Sequence, residues 1–286
     1  MTRTVGRAAR MLICAYGLGA CGHVPPLPAK AIALNRDGAA SLAAGDLTRA
    51  EARIALALEY SPRFTEAWVN LGLIEMKRGN FERARSDLVR ARDLNPDLST
   101  PHHGLGVLSE TVGSVADAER HYRAALKVDP GFAPARINLG RLLYQRGATE
   151  EAREQFARLT EVAPEYPEGW TGLCETLLRL DRTSEAQAVL ETARSRFGSS
   201  PPIELLAARL LLRKSAFSEA ATHLERVTRE ADRRQVAAAF AWLAVARLCE
   251  GKGDAAAAAA DRAAALNPDD AVARYALLAA HRVANR

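Results

Sequence analysis

Residues 65–98 read TEAWVNLGLIEMKRGNFERARSDLVRARDLNPDL. Apolar residues recur at helical spacing on both sides of Gly79, and Pro96 closes the stretch. Glycine turns a chain that no other residue turns as cheaply, and proline lacks the amide hydrogen that would continue a helix. Outward from this stretch the punctuation repeats. Pro62, Pro96, Pro130 and Pro164 stand 34 residues apart, and Gly45, Gly79, Gly113 and Gly147 keep the same period, each 17 residues before a proline. The unit is a helix, a glycine turn, a second helix and a proline stop, iterated as in a solenoid.

Within residues 65–98, Trp68, Leu71, Gly72, Ala84, Leu88, Ala91 and Pro96 match the W-x-x-L-G, A-x-x-x-F and A-to-P spacing of the tetratricopeptide repeat, which this stretch resembles. The family's tyrosine is replaced by Glu75. The same places hold Leu105, Gly106, Ala118, Tyr122, Ala125 and Pro130 in the next copy, then Leu139, Gly140, Ala152, Phe156, Leu159 and Pro164. The resemblance implies an all-α fold, a right-handed superhelical solenoid of about seven helix-turn-helix repeats with a C-terminal capping helix. Gly72, Ala84 and Ala91 admit close approach of two antiparallel helices, with Trp68, Leu71 and Leu88 expected to fill the space between them.

The register continues with weaker copies at 31–64, 167–200, 201–236 and 237–270, flanking those at 65–98, 99–132 and 133–166. Residues 271–286 form one more helix, expected to cap the array. Repeat 201–236 carries two extra residues. In the first copy Asp37 and Gly38 hold the Leu-Gly places, which reads either as a frayed terminal repeat or as a shorter true array. The alanine run 255–260 reads as a tightly packed helix, with a low-complexity tract as the alternative. Gly198 and Ser199 before Pro201 and Pro202 read as a looser turn or as a domain boundary.

Ahead of the repeats lies a different kind of sequence. Residues 1–20 join a basic start, with Arg3, Arg7 and Arg10, to a short apolar run, as in an export signal. The junction Leu18-Gly19-Ala20-Cys21 resembles a bacterial lipobox, which implies lipidation of Cys21. The run is too short for a membrane span, which takes roughly 20 residues. Gly22 rather than aspartate follows the cysteine, which implies a lipid-anchored protein of the outer membrane facing the periplasm. Residues 21–30, rich in proline, read as a tether. The net charge of +5 is largely this leader's: without residues 1–20 there are 36 basic against 34 acidic residues, or +2, which argues against a nucleic-acid partner. Cys174 and Cys249 lack metal spacing and fall two repeats apart, so both read as small packing residues.

In the family the first helix of each repeat lines a concave groove. Carried onto this register, the exposed groove positions include Val69, Asn70, Leu73 and Lys77, His103 and Val107, Ile137, Asn138, Arg141 and Gln145, Glu175 and Arg179, and Arg209 and Arg213. The surface is mixed, with a basic tendency toward the middle and end. Asn70 and Asn138 share one repeat position, where an amide offers donor and acceptor to a peptide backbone. The two-carboxylate clamp of chaperone-binding relatives is not matched. No H-E-x-x-H, phosphate loop or G-x-S-x-G is present, and neighbouring His102 and His103 share no helical face, so no catalytic residue, metal or cofactor is expected.

The reading is therefore a non-enzymatic scaffold that binds protein or peptide partners in the envelope. Its resemblance to lipoproteins serving type IV and tight-adherence pili implies a role in pilus or secretion machinery assembly, with a secretin or pilus component as partner. The alternative is an adaptor that delivers an envelope protease or peptidoglycan hydrolase to its target.

Overall fold

The computed structural model describes residues 26–284, so the expected leader and Cys21 lie outside the described residues. Fifteen helices and no strand occur among them. They run α1 (Ala29–Ala43), α2 (Leu47–Tyr60), α3 (Thr65–Arg78), α4 (Phe81–Leu94), α5 (Ser99–Thr111), α6 (Val115–Val128), α7 (Ala133–Gln145), α8 (Thr149–Val162), α9 (Pro167–Arg179), α10 (Thr183–Phe197), α11 (Pro201–Arg213), α12 (Phe217–Glu230), α13 (Arg233–Cys249), α14 (Gly253–Leu266) and α15 (Ala271–Ala284). Each helix packs on the next, and odd-numbered helices of successive pairs also touch, which places the first helices side by side along one face of a solenoid.

The turns follow from backbone chemistry. Gly45, Gly79, Gly113 and Gly147 sit at φ +80 to +82°, a left-handed conformation that lets the chain reverse between paired helices. In the fifth and sixth pairs Asp181 (φ 61°) and Ser215 (φ 60°) hold the same place at the cost of strain.

Close packing follows from the small residue in the eighth place of each repeat. A Cβ at Gly106 would lie 2.5 Å from Tyr122 Cε1, so the fully buried Tyr122 ring of α6 rests on bare backbone. Gly38, Gly72 and Gly140 meet Ile54, Leu88 and Phe156 in the same way. One period on, Cys174 and Ala208 occupy this place and are fully buried. The first pair is thus neither frayed nor missing: Gly38 packs under Ile54, Leu34 and Leu42 are buried, and Asp37, in the leucine place, faces solvent. Helix α1 begins at Ala29, so residues 29 and 30 of the expected tether are helical.

The weak places resolve similarly. Ala256, Ala259, Ala260 and Ala263 are buried in α14, so the alanine run is a packed helix. One core cluster passes from α10 to α11 across Gly198, so no domain boundary falls there. The two extra residues extend α13 to 17 residues from a start where Asp232 accepts a hydrogen bond from Gln235 N at 2.9 Å.

Two expectations need correction. Trp68 is half-buried rather than central: its Nε1 donates to the Pro62 carbonyl at 2.9 Å, and the Arg90 guanidinium lies 4.0 Å above the ring. Trp170 does the same to Pro164 at 3.0 Å. The fourth residue of a first helix leans back over the preceding turn, so it straps the proline corner while Leu88 fills the interior. Cys174 is buried as expected, with its thiol pushed up to about 12 by burial, but Cys249 is exposed at the end of α13 and packs nothing. Glu75, in place of the family's tyrosine, is 4% exposed and accepts a hydrogen bond from Asn80 Nδ2 at 2.7 Å.

Candidate interaction groove

The first helices α1, α3, α5, α7, α9, α11 and α13 stand side by side, and the sequence-assigned groove residues lie on them, except that Val69, expected to be exposed, is buried in the core with Ala84 and Leu88. Most of them are not free side chains awaiting a ligand. They reach from one repeat to the next, because residues about one period apart come side by side in the stack. Asn70 Nδ2 donates to Asn35 Oδ1 at 2.9 Å. Arg209 pairs with Glu175 at 2.9 Å. Arg213 pairs with Asp181 and donates to the Leu178 carbonyl at 3.1 Å. Arg179 donates to the Tyr144 carbonyl at 2.8 Å with its guanidinium 4.6 Å from the Tyr144 ring. Lys77 and Gln145 are exposed at the ends of their helices.

The densest group lies between α5, α6 and α7. His103 packs edge-on to Phe132, with ring centroids 5.5 Å apart, and against Tyr122 at 5.9 Å. Burial holds its imidazole down at about 4, so it is neutral at ordinary pH. Asn138 Nδ2 stands 2.9 Å from His103 Nε2. An amide nitrogen only donates, so Nε2 accepts and the ring proton sits on Nδ1. Glu110 accepts from the Tyr122 hydroxyl at 2.8 Å and pairs with Arg141 at 2.9 Å. Burial and the Glu110 carboxylate raise the Tyr122 hydroxyl far above its ordinary range, which keeps it a donor. Asn138 and Arg141 therefore present partly satisfied polar groups on a floor of hydrogen-bonded side chains. Arg141 is exposed and Asn138 half-buried, so both remain within reach of a ligand.

Toward the C-terminal end the character changes. Leu178, Arg209, Leu212, Arg213, Trp242 and Val245 line a pocket of about 150 Å³ between α9, α11 and α13. Arg209 lies 5.2 Å from the Trp242 ring. Sequence reading missed Trp242, although it occupies the sixth place of its repeat, where Asn70 and Asn138 stand in theirs. It also missed Asn35, Glu110 and Tyr144, whose signal is a complementary group about one period before each assigned residue. The basic tendency of the groove is muted, since Arg141, Arg209 and Arg213 each face a carboxylate. No helix among the described residues is long and apolar enough to cross a membrane.

Two family models, both described as tetratricopeptide repeat, match residues 16–98 and 112–175. No curated protein matches the chain. Among solved structures, a tetratricopeptide repeat protein from Parabacteroides merdae aligns with a TM-score of 0.64 at 18% identity, over 88% of this chain and 99% of that one. PilF of Pseudomonas aeruginosa aligns at 0.60 and 23% identity, over 74% and 95%. The Cut9–Hcn1 assembly of the APC/C aligns at 0.66 and 18% identity, over 84% of this chain and 47% of that one. At these identities the likeness is one of fold.

Proposed function

The chain belongs to the tetratricopeptide repeat family, whose stacked repeats serve as protein-interaction scaffolds, and on that premise we propose that it is a non-enzymatic scaffold lipoprotein that holds a protein partner in its inner groove within the bacterial envelope. The observation that carries the reading is the group on α5 and α7. Asn138 and Arg141 stand on the inner face, one helical turn apart, on a floor of buried Tyr122 and half-buried His103. An amide pairs with a peptide backbone and a guanidinium with a carboxylate, so the pair suits an extended polypeptide. Fixed side chains also lose little entropy when a ligand arrives.

Placement in the envelope rests on residues 1–21. The basic start, the apolar run and Leu18-Gly19-Ala20-Cys21 support export and lipidation, with the array held at the periplasmic side of the outer membrane. A solenoid tied to a membrane by lipid suits assembly of pilus or secretion machinery, and the likeness of fold to PilF agrees with that reading.

The test is crosslinking in intact envelopes, followed by identification of what the wild-type chain captures. Replacing Asn138 and Arg141 together with alanine should release that partner while the melting temperature stays within a few degrees. Retention of the partner by a normally folded double variant would move the interface off this face. Capture of a secretin or pilus component supports the assembly role, and capture of a hydrolase or protease overturns it.

A further inference from the structure

We propose that the pocket between α9, α11 and α13 seats one large apolar side chain of the bound polypeptide, and that Arg209 and Arg213 hold two acidic residues of the same segment that stand two places apart from each other. This inference rests on the groove reading above and names the chemistry of the segment that docks at the groove's C-terminal end.

Size comes first. The pocket measures about 150 Å³, and a cavity of that order accommodates a benzene ring. Leu178, Leu212, Val245 and the Trp242 ring supply its apolar surface, so the occupant is apolar and aromatic or branched.

Charge comes second. Arg209 and Arg213 stand at the same pocket, four residues apart on α11. A helix rises about 1.5 Å per residue, so their backbones lie roughly 6 Å apart along the groove. An extended peptide rises about 3.3 Å per residue and presents every second residue to the same side, which brings side chains two places apart to nearly that spacing. The carboxylates now paired with them yield easily. Glu175 is 42% exposed and Asp181 76% exposed, and exposed ion pairs contribute little. Arg209 uses one nitrogen for Glu175, which leaves further N–H donors of its fork for an incoming carboxylate. The Trp242 ring beside it excludes water from one side of that contact.

The difference from the middle of the groove is chemical. There the sixth and ninth places hold Asn138 and Arg141, with Tyr122 and His103 filling the floor beside them. At the end the sixth place is Trp242, and with leucines at 178 and 212 it leaves an open apolar hollow. A polar backbone contact in the middle and a side-chain socket at the end make one continuous track.

The experiment is fluorescence anisotropy on the full chain in detergent, with a fluorescein-labelled octapeptide that carries one phenylalanine and, on the same side of it, aspartates two and four places away. Saturable binding is expected. A peptide with lysines for the aspartates, and one with alanine for the phenylalanine, should each bind about tenfold more weakly or worse, the loss that follows removal of a charge-assisted contact or an apolar anchor. Arg213→Gln, at an exposed site, should give a similar loss with an unchanged melting temperature, and Trp242→Ala a loss of the same order. Arg158→Ala, at an exposed site on the second helix α8, should leave this peptide's affinity unchanged. Equal binding of the lysine peptide, or full affinity in a normally folded Arg213→Gln variant, overturns the proposal. Absence of octapeptide binding while the Asn138 and Arg141 double variant still releases its crosslinked partner removes the pocket assignment and leaves the groove reading standing. The converse, octapeptide binding that needs Arg213 and a partner that ignores Asn138 and Arg141, supports the pocket and removes the central interface.

Discussion

Asn138 of α7 donates a hydrogen bond of 2.9 Å to His103 Nε2 of α5, across 35 residues of sequence and between adjacent first helices. The contact ties two repeats together on the inner face, and it depends on His103 staying neutral. Protonation would put a donor opposite a donor inside a half-buried site.

That arrangement sets a pH dependence. The His103 pKa falls from 6.5 to about 4 through burial. The unfolded chain therefore takes up a proton between those values while the fold does not, so stability is full above pH 6.5 and declines as pH falls toward 4. The expected decline is about 2–3 kcal/mol by pH 4. Melting curves of the wild type and of His103→Gln across this range should converge in acid; parallel curves would show that His103 does not titrate there.

Asp87 works in the opposite sense. Burial, and then the Glu75 carboxylate, raise its pKa from 3.8 to about 6. The fold binds the proton more tightly than the unfolded chain, so stability is lost as pH rises from 3.8 through 6. Asp87→Asn should therefore stabilise the protein near pH 7.5 by about 1 kcal/mol, after allowance for the site's partial solvent screening, and change little at pH 4. Equal effects at both pH values would contradict this.

Helix approach is tested at Gly106. An added methyl meets the Tyr122 ring at 2.5 Å, between two helices whose separation is set by the whole stack. Gly106→Ala should cost about 1–3 kcal/mol, the usual range for overpacking. Adding Tyr122→Leu should recover part of that loss, and a double-mutant cycle with no coupling would mean the clash is relieved elsewhere.

Strain in the sixth turn is tested at Ser215, held at φ 60° where most repeats use glycine. Ser215→Gly should raise stability by up to about 1 kcal/mol, since relief of the left-handed penalty is partly offset by the freer unfolded chain. A drop in the denaturation midpoint would refute it.

Anchoring is tested at Cys21, where a thioether to lipid requires the sulfur. Cys21→Ala should leave the chain uncleaved or soluble, with no lipid mass added. Unchanged mass and unchanged membrane fractionation would sink the assignment.

How far the sequence carries can be seen in particular residues. Gly45, Gly79, Gly113 and Gly147 announce the turns because the left-handed conformation there favours one residue type. Pro62, Pro96, Pro130 and Pro164 announce the corners because proline cannot continue a helix. Trp68 reads in the sequence as a filler between its paired helices rather than as the strap on Pro62 that it is, since its spacing is the same whether the ring turns into its own helix pair or back over the preceding corner. Groove positions on α3, α5, α7, α9 and α11 follow in the sequence from helical periodicity, which also takes in the buried Val69, and Trp242 escapes because an indole in the sixth place matches neither asparagine that marked that column.

Period, helix pairing, turn chemistry and the burial of Leu88, Tyr122 and Phe156 are local matters, settled by backbone sterics and helical periodicity within 34 residues, and they can be read from the chain. The links from Asn138 to His103, from Arg141 to Glu110 and from Arg209 to Glu175 and Trp242 belong to the stack. Each joins residues about one period apart, and which side chains meet depends on how far each repeat turns relative to the last and on the reach of the groups present. That rotation is set by packing of whole helix pairs, not by any one pair's sequence, so whether the inner face has a floor filled by linked side chains, as at His103, or a hollow, as beside Trp242, is a property of the assembled solenoid.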